Sequence, residues 1–216
     1  MCGRFTLFTA KNAITEALGI VIAFDLRPRY NIAPTQDVLA VLNDGTMTAH
    51  WLRWGLVPSW AADPAIGNRM INARAETLKE KPSFRSALKK RRCIIVADSF
   101  YEWRKNADGT KTPMRIRLKN KKPFAFAGLW ETWSKGPSPL TSCTIITTRP
   151  NELTGTLHDR MPAILPPPDF PQWLAPGEID AADLLRPYPA EEMEAYPVGK
   201  LVNNPGNDTP QCIQPA

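Results

Sequence analysis

Hydrophobic and polar positions alternate over short stretches, and no helical period persists for long. Lys11 to Leu18 carries a brief helical pattern that Gly19 closes, which predicts a short helix. Ser83 is placed to cap another, with Phe84 and Leu88 on one face. Cys93-Ile94-Ile95-Val96-Ala97 is apolar throughout and predicts a buried strand. In the extended segment Phe100 to Arg104, residues Phe100, Glu102 and Arg104 fall on one face. Met114 to Leu118 alternates, a Lys-Asn-Lys-Lys turn follows, and Phe124 to Trp130 resumes the apolar pattern. Together these predict a hairpin. Cys143 to Thr148 reads as another apolar strand, Pro166 to Pro171 as a connection into a short helix around Trp173, and Ala181 to Leu185 as a further helical piece. The 22 prolines exclude long helices. The pattern predicts an α+β fold, mainly antiparallel β, as a sheet or barrel with short peripheral helices. The 216 residues are read as a single domain, 1–216.

Composition narrows the function. No apolar run is long enough to span a bilayer. No signal peptide is recognisable, so the N-terminus is expected to be the mature one, in the cytoplasm. Cys2, Cys93, Cys143 and Cys212 are scattered and only His50 and His158 could add imidazoles, so neither a disulfide framework nor a metal site is expected, and no cofactor is implied. The formal net charge is +6. Its excess is concentrated between Lys79 and Arg92 and between Arg104 and Lys122, while Gly177 to Tyr196 is mostly acidic. A basic middle fits a polyanion partner or a solvated Lys/Arg surface, and charge alone does not choose. Of the seven tryptophans, Trp51, Trp54 and Trp60 cluster; exposed aromatics beside cations are the stacking surface of single-strand binders, although most tryptophans are core residues.

Four segments could carry chemistry. Removing Met1 would leave Cys2 with a free α-amine (pKa about 8) and a thiol (about 8.5) on adjacent carbons. This 1,2-aminothiol captures an aldehyde: the amine condenses to an imine and the thiol closes on the same carbon as a thiazolidine. Gly3 lets the end bend and Arg4 sets a cation beside the nucleophile. In an extended chain Asn72 and Arg74 point the same way, as suits a phosphodiester or sugar, or an ordinary turn. Glu102 stands among Phe100, Tyr101 and Trp103, where desolvation would raise its pKa for acid–base work, unless the strand leaves it half exposed. His158 beside Asp159 and Arg160 is a natural proton shuttle.

These residues lie in an ordered series of motifs. They are Met1-Cys2-Gly3-Arg4-Phe5, Tyr30-Asn31-Ile32-Ala33-Pro34-Thr35, Arg53-Trp54-Gly55-Leu56-Val57-Pro58, Ile71-Asn72-Ala73-Arg74-Ala75-Glu76-Thr77, Arg91-Arg92-Cys93, Phe100-Tyr101-Glu102-Trp103, Ala127-Gly128-Leu129-Trp130-Glu131, Thr147-Thr148, His158-Asp159-Arg160-Met161-Pro162 and Val202-Asn203. The chain thereby closely resembles the SRAP proteins (SOS-response-associated peptidases, or abasic-site processing proteins) over nearly its whole length. It departs from their pattern at Val96, Ser99 and Pro150, none of them a reacting residue. The resemblance implies a barrel-like SRAP fold with a basic cleft for single-stranded DNA that contains abasic sites. The chain is expected to act as a monomer, associated with the nucleoid when bound to DNA. The reaction implied is a covalent thiazolidine crosslink between Cys2 and the ring-opened deoxyribose, with lyase side activity and removal of Met1. Asn72 would orient the sugar, Glu102 serve ring opening and imine formation, and His158 assist proton transfer and reversal. Arg4 and Arg74 would hold flanking phosphates, and Asn31, Trp54, Trp60, Arg85, Thr148 and Arg160 would complete the DNA-binding set. Two rivals stand beside this reading: an N-terminal-nucleophile hydrolase with Cys2 as the acylated thiol, and a non-covalent single-strand binding module.

Overall fold

A strand that is apolar at every position belongs where both faces are covered. Cys93 to Ala97 sits there, at the centre of the molecule, with every residue buried. The structure, a computed structural model, describes residues 2–216. In chain order its elements are β1 (Phe5–Leu7), α1 (Lys11–Leu18), β2 (Arg29–Ile32), β3 (Asp37–Leu42), β4 (Ala49–Trp54), β5 (Asn72–Arg74), α2 (Pro82–Lys90), β6 (Arg92–Ala97), β7 (Ser99–Lys105), β8 (Lys111–Leu118), β9 (Phe124–Trp133), β10 (Leu140–Thr148), α3 (Glu152–Gly155), β11 (Met161–Pro162), β12 (Ile164–Leu165), α4 (Phe170–Trp173) and β13 (Met193–Pro197), with short 3-10 turns between them. No helix is long and apolar enough to cross a membrane among the described residues.

Five strands close on themselves in the order β3-β4-β10-β9-β6, with β6 pairing back to β3. The β4–β10 seam is parallel and the other pairings around the ring are antiparallel. Closure leaves this barrel no free edge. A second, antiparallel sheet has the order β13-β8-β7-β1-β2. Aromatic side chains join the two layers. The Phe5 ring of β1 lies 5.1 Å from Trp54 and 5.7 Å from Phe126, and Phe100 of β7 lies 6.1 Å from Phe126. Such pairs contribute about 0.5–1.5 kcal/mol each beyond the area they bury. The mainly antiparallel, barrel-like α+β fold with short helices is the one expected.

One edge of β10 prepares the site. It pairs with β4 at Ser142 and Cys143, then with β5 at Ile145 to Thr147, both parallel. At this exchange Gly55 has φ +127°, and a Cβ there would stand 2.6 Å from the Gly67 carbonyl oxygen. Only a glycine fits so close an approach. On the other edge β9 ends at Ile145, and β11 takes over at Thr147 and Thr148. The end of β10 thus carries β5 on one side and the segment leading into β11 on the other.

Several local expectations need correction. Met114 to Leu118 and Phe124 to Trp130 do not form a hairpin. β8 pairs with β7 and β13 in the open sheet, whereas β9 belongs to the barrel. The clean alternation of β8 misled, because Arg115 is buried, donating to Ser99 Oγ at 2.8 Å and to Tyr196. α2 begins at Pro82 with Lys81 before it, so Ser83 is not its cap; proline at a first helical position makes a capping side chain dispensable. Ala181 to Leu185 forms one hydrogen-bonded turn and not a helix. α1 ends as expected, on Gly19 in the left-handed region at φ 68°.

Candidate functional site

The β1–β7 ladder brings the start of the chain to Glu102. Phe5 pairs with Phe100 and Thr6 with Ser99, and the Tyr101 N–H donates to the Arg4 carbonyl at 2.9 Å. Continued beyond the strand by the same register, Gly3 falls opposite Glu102 and Cys2 opposite Trp103. Cys2 is fully buried. Burial, and next the negative charge of Glu102, push its thiol well above the ordinary cysteine value; the Arg4 backbone N–H bonds the sulfur and opposes this weakly. Glu102 is only 4% exposed, and burial pushes its carboxyl up to about 7, with the charge of Asp159 adding to the rise. A neutral thiol therefore lies beside a carboxyl whose two protonation states are both populated near neutrality.

β5 holds the chain from the other side. Asn72 Nδ2 donates to the Cys2 carbonyl at 2.8 Å, and its Oδ1 is buried with no hydrogen-bond partner among the described residues. Arg74 shares that face and is exposed, while Ala73 between them turns into the core. This is the alternation expected from the sequence.

The segment before β11 brings His158. Its Nδ1 lies 2.7 Å from Asp159 Oδ1 and 3.1 Å from the Arg160 backbone nitrogen. The two contacts suit different protonation states: a neutral Nδ1 accepts the Arg160 N–H, whereas a protonated one donates to Asp159. Burial lowers the His158 pKa more than Asp159 raises it, so at neutral pH the first arrangement prevails and Nε2 carries the proton. Arg160 itself forms a two-pronged ion pair with Glu76, at 2.8 Å to each carboxylate oxygen, and also donates to the Thr147 carbonyl at 2.6 Å. That hydrogen bonding holds the Glu76 carboxyl below the usual range. One arginine thereby ties the His158 segment to the turn following β5.

Two sequence expectations for DNA contact fail on burial. Trp54 is fully buried between the sheets, its indole N–H donating to the Ile71 carbonyl at 2.9 Å. Asn31 is also fully buried, and its amide donates to the carbonyls of Val202, Asn204 and Asn207 while its oxygen accepts from Arg4 Nη1 at 2.7 Å. Asn31 therefore positions Arg4. Arg4 also reaches the Val202 carbonyl, and its guanidinium lies 5.8 Å over the Trp103 ring. Trp60 is 54% exposed, Arg85 is exposed on α2, and Thr148 is buried at the end of β10. The basic middle is partly spent inside the fold. Arg92 is fully buried, donating to the carbonyls of Trp173, Leu88, Lys89 and Gly177, while Arg91, Arg117 and Lys89 pair with Glu131, Glu194 and Glu178. Sequence reasoning missed the Glu76–Arg160 tie and the part of Asp159, because both depend on pairings across the fold. Glu76 did stand inside one of the ordered motifs, which was the available signal. No group of three His, Cys, Asp or Glu gathers as a metal site among the described residues.

Comparison with known proteins agrees with this geometry. The family model described as SOS response associated peptidase (SRAP) matches residues 1–205. The chain is 52% identical over 222 residues to the abasic site processing protein YoqW of Bacillus subtilis, covering 99% of each. It is 36% identical to the abasic site processing protein HMCES of Gallus gallus, over 88% of this chain and 66% of that one. Among solved structures, a protein from Bacteroides thetaiotaomicron superposes with a TM-score of 0.86 at 28% identity, over the whole of both chains. With its fold, its motifs and its length all matched, this chain belongs to the SRAP family.

Proposed function

We propose that this protein processes abasic sites in single-stranded DNA by capturing the ring-opened deoxyribose on Cys2. The observation that carries the proposal is the convergence on Cys2: Asn72 fixes its carbonyl at 2.8 Å, and Glu102, held near 7, stands close enough to govern its thiol. The names of the relatives supply the substrate class.

The chemistry follows from the site. Met1 must first be removed, since the Cys2 nitrogen otherwise lies in a peptide bond; the peptidase description of the family is assigned to this step. Protonated Glu102 donates to the sugar ring oxygen as the ring opens to the aldehyde, while the C1′ hydroxyl proton leaves to solvent, from which Glu102 is later reprotonated. The α-amine adds to C1′, and loss of water gives the imine. The thiol then adds to the same carbon while its proton passes to the Glu102 carboxylate and on to nitrogen, closing the thiazolidine. A thiol kept neutral by burial is protected from stray oxidation and surrenders its proton only as it adds. Neutral His158, with its proton on Nε2, donates when the ring reopens. If closure is delayed, the imine acidifies the C2′ protons and elimination cleaves the strand, which accounts for a lyase activity. Arg4 and Arg74 are the phosphate-holding cations. The protein acts as a monomer in the cytoplasm, on nucleoid DNA.

Intact mass measurement tests this. Protein lacking Met1, mixed with an abasic single-stranded oligonucleotide, should gain the mass of the oligonucleotide less one water, without borohydride. Cys2→Ser should cleave the strand and leave little lasting adduct. Unchanged protein mass with intact DNA would refute the proposal.

A further inference from the structure

The reactive end of the chain lies against the other end of the same chain. β1 is only three residues long, so Cys2, Gly3 and Arg4 extend beyond it. On one side Asn72 holds the Cys2 carbonyl. On the other, the anchors trace to the segment after β13. Arg4 Nη1 donates to the Val202 carbonyl and to Asn31 Oδ1, each at 2.7 Å. The Arg4 guanidinium lies over the ring of Trp103, the residue opposite Cys2, and the Trp103 indole N–H donates to Asn203 Oδ1 at 2.7 Å. Asn31 is placed in turn by Asp208. One oxygen of that carboxylate accepts the backbone N–H of Asn31, at 2.9 Å, and that of Tyr30, while the other takes Arg29. Residues 200–213 thus run as a strap across β2 and β7. The strap has its own small core, in which Val202 and Cys212 pack with Val198 and Tyr101 apart from the main core. So small a cluster opens at lower free energy than the barrel beside it.

We infer that this strap positions the reactive terminus, with Asn203 and Asp208 as positioning residues. Asn203 fixes Trp103 beneath Arg4, and Asp208 fixes Asn31, which fixes Arg4. The inference rests on the proposed function for the reaction it serves. Chain ends fray unless tied down. One hydrogen bond to the Cys2 carbonyl leaves the end free to turn about that bond; Arg4, two residues on, supplies the second fixed point. Amine and thiol must reach the same carbon in succession, and a displacement of about 1 Å from such a geometry can cost about 10²-fold in rate. This role is additional to the phosphate contact proposed for Arg4.

The four cysteines, all fully buried, report the regions separately: Cys2 the terminus, Cys212 the strap, Cys93 and Cys143 the barrel. Protein lacking Met1 would be treated with iodoacetamide and the alkylated cysteines located by peptide mass. In parallel, the rate of adduct formation at saturating abasic single-stranded DNA would be measured beside affinity for a tetrahydrofuran analogue. Asp208→Ala should raise alkylation of Cys2 and Cys212 while Cys93 and Cys143 stay protected. It should slow adduct formation by up to about 10²-fold and change affinity far less. Asn203→Ala, at an exposed position, should raise alkylation of Cys2 without that of Cys212 and slow the reaction less. Asn203→Asp keeps the acceptor oxygen for Trp103 and should restore the rate. Alkylation of all four cysteines in Asp208→Ala would mean that the variant has unfolded, and the two Asn203 variants then decide. A rate equal to wild type in either alanine variant, or equal losses in Asn203→Ala and Asn203→Asp, would overturn the inference. Failure of the proposed function is distinguishable: wild type would then form no adduct, while the pattern of cysteine exposure, which needs no DNA, would still test the strap.

Discussion

Glu102 and Glu76 are the same residue type tuned in opposite directions within one site. Glu102 is 4% exposed and desolvation raises it to about 7; Glu76 is half exposed and the Arg160 guanidinium holds it below the usual range. The first can exchange a proton at neutral pH. The second is a fixed charge that joins two segments. Where desolvation dominates, a carboxyl becomes reactive; where a two-pronged cation dominates, it becomes structural.

The sharpest break between them should appear in rate. Glu102→Gln keeps shape and burial but removes the exchangeable proton, so adduct formation should slow by about 10²–10⁴ with little change in DNA affinity. Glu76→Gln should slow it far less. Equal losses in stopped-time assays of the two variants would erase the distinction.

A smaller effect should appear in stability against pH. Glu102 binds its proton more tightly folded than unfolded, so the folded state holds more protons between the ordinary value of 4.5 and about 7, and stability falls as pH rises through that window. The penalty is on the order of 3 kcal/mol. Glu102→Gln should flatten that fall, and denaturant melts at pH 5 and 9 would show it; a parallel fall in wild type and variant would mean that the raised pKa is not real. Glu76 has the opposite sign. Its contribution is present above the ordinary carboxylate value and is lost as pH falls through its depressed one.

The smallest effect is the Glu76–Arg160 coupling itself. For a pair this exposed, about 1 kcal/mol or less is expected, weakening with salt. A double-mutant cycle with Glu76→Gln and Arg160→Gln would measure it, and coupling unaffected by salt would indicate a more secluded pair.

How much of this was legible in the sequence depended on range. The local signals held. Gly19 closed a helix, Cys93 to Ala97 formed a fully buried strand, and the Asn72/Arg74 alternation survived because a strand's period is fixed by its backbone. Glu102 was placed correctly among apolar neighbours for the same reason. What failed was long-range. β8 alternates as a hairpin strand would, yet pairs within the other sheet, and periodicity carries no information about partners. Trp54 and Asn31 sit in motifs that suggested contact with DNA, but a tryptophan between two sheets and an asparagine bonded to three carbonyls read identically to exposed ones in sequence. The basic middle overstated the free positive charge, since Arg91, Arg92, Arg115 and Arg117 bond inside the fold.

The central claim is that Cys2 reacts through amine and thiol together, and an extended N-terminus tests it most directly. Protein with one residue left before Cys2 keeps the thiol, Asn72 and Glu102 but has no free amine next to the sulfur. Intact mass after incubation with abasic single-stranded DNA should show a stable adduct for the protein beginning at Cys2 and none for the extended one. A stable adduct formed equally by both would mean that the thiol acts alone, and the aminothiol mechanism would be contradicted.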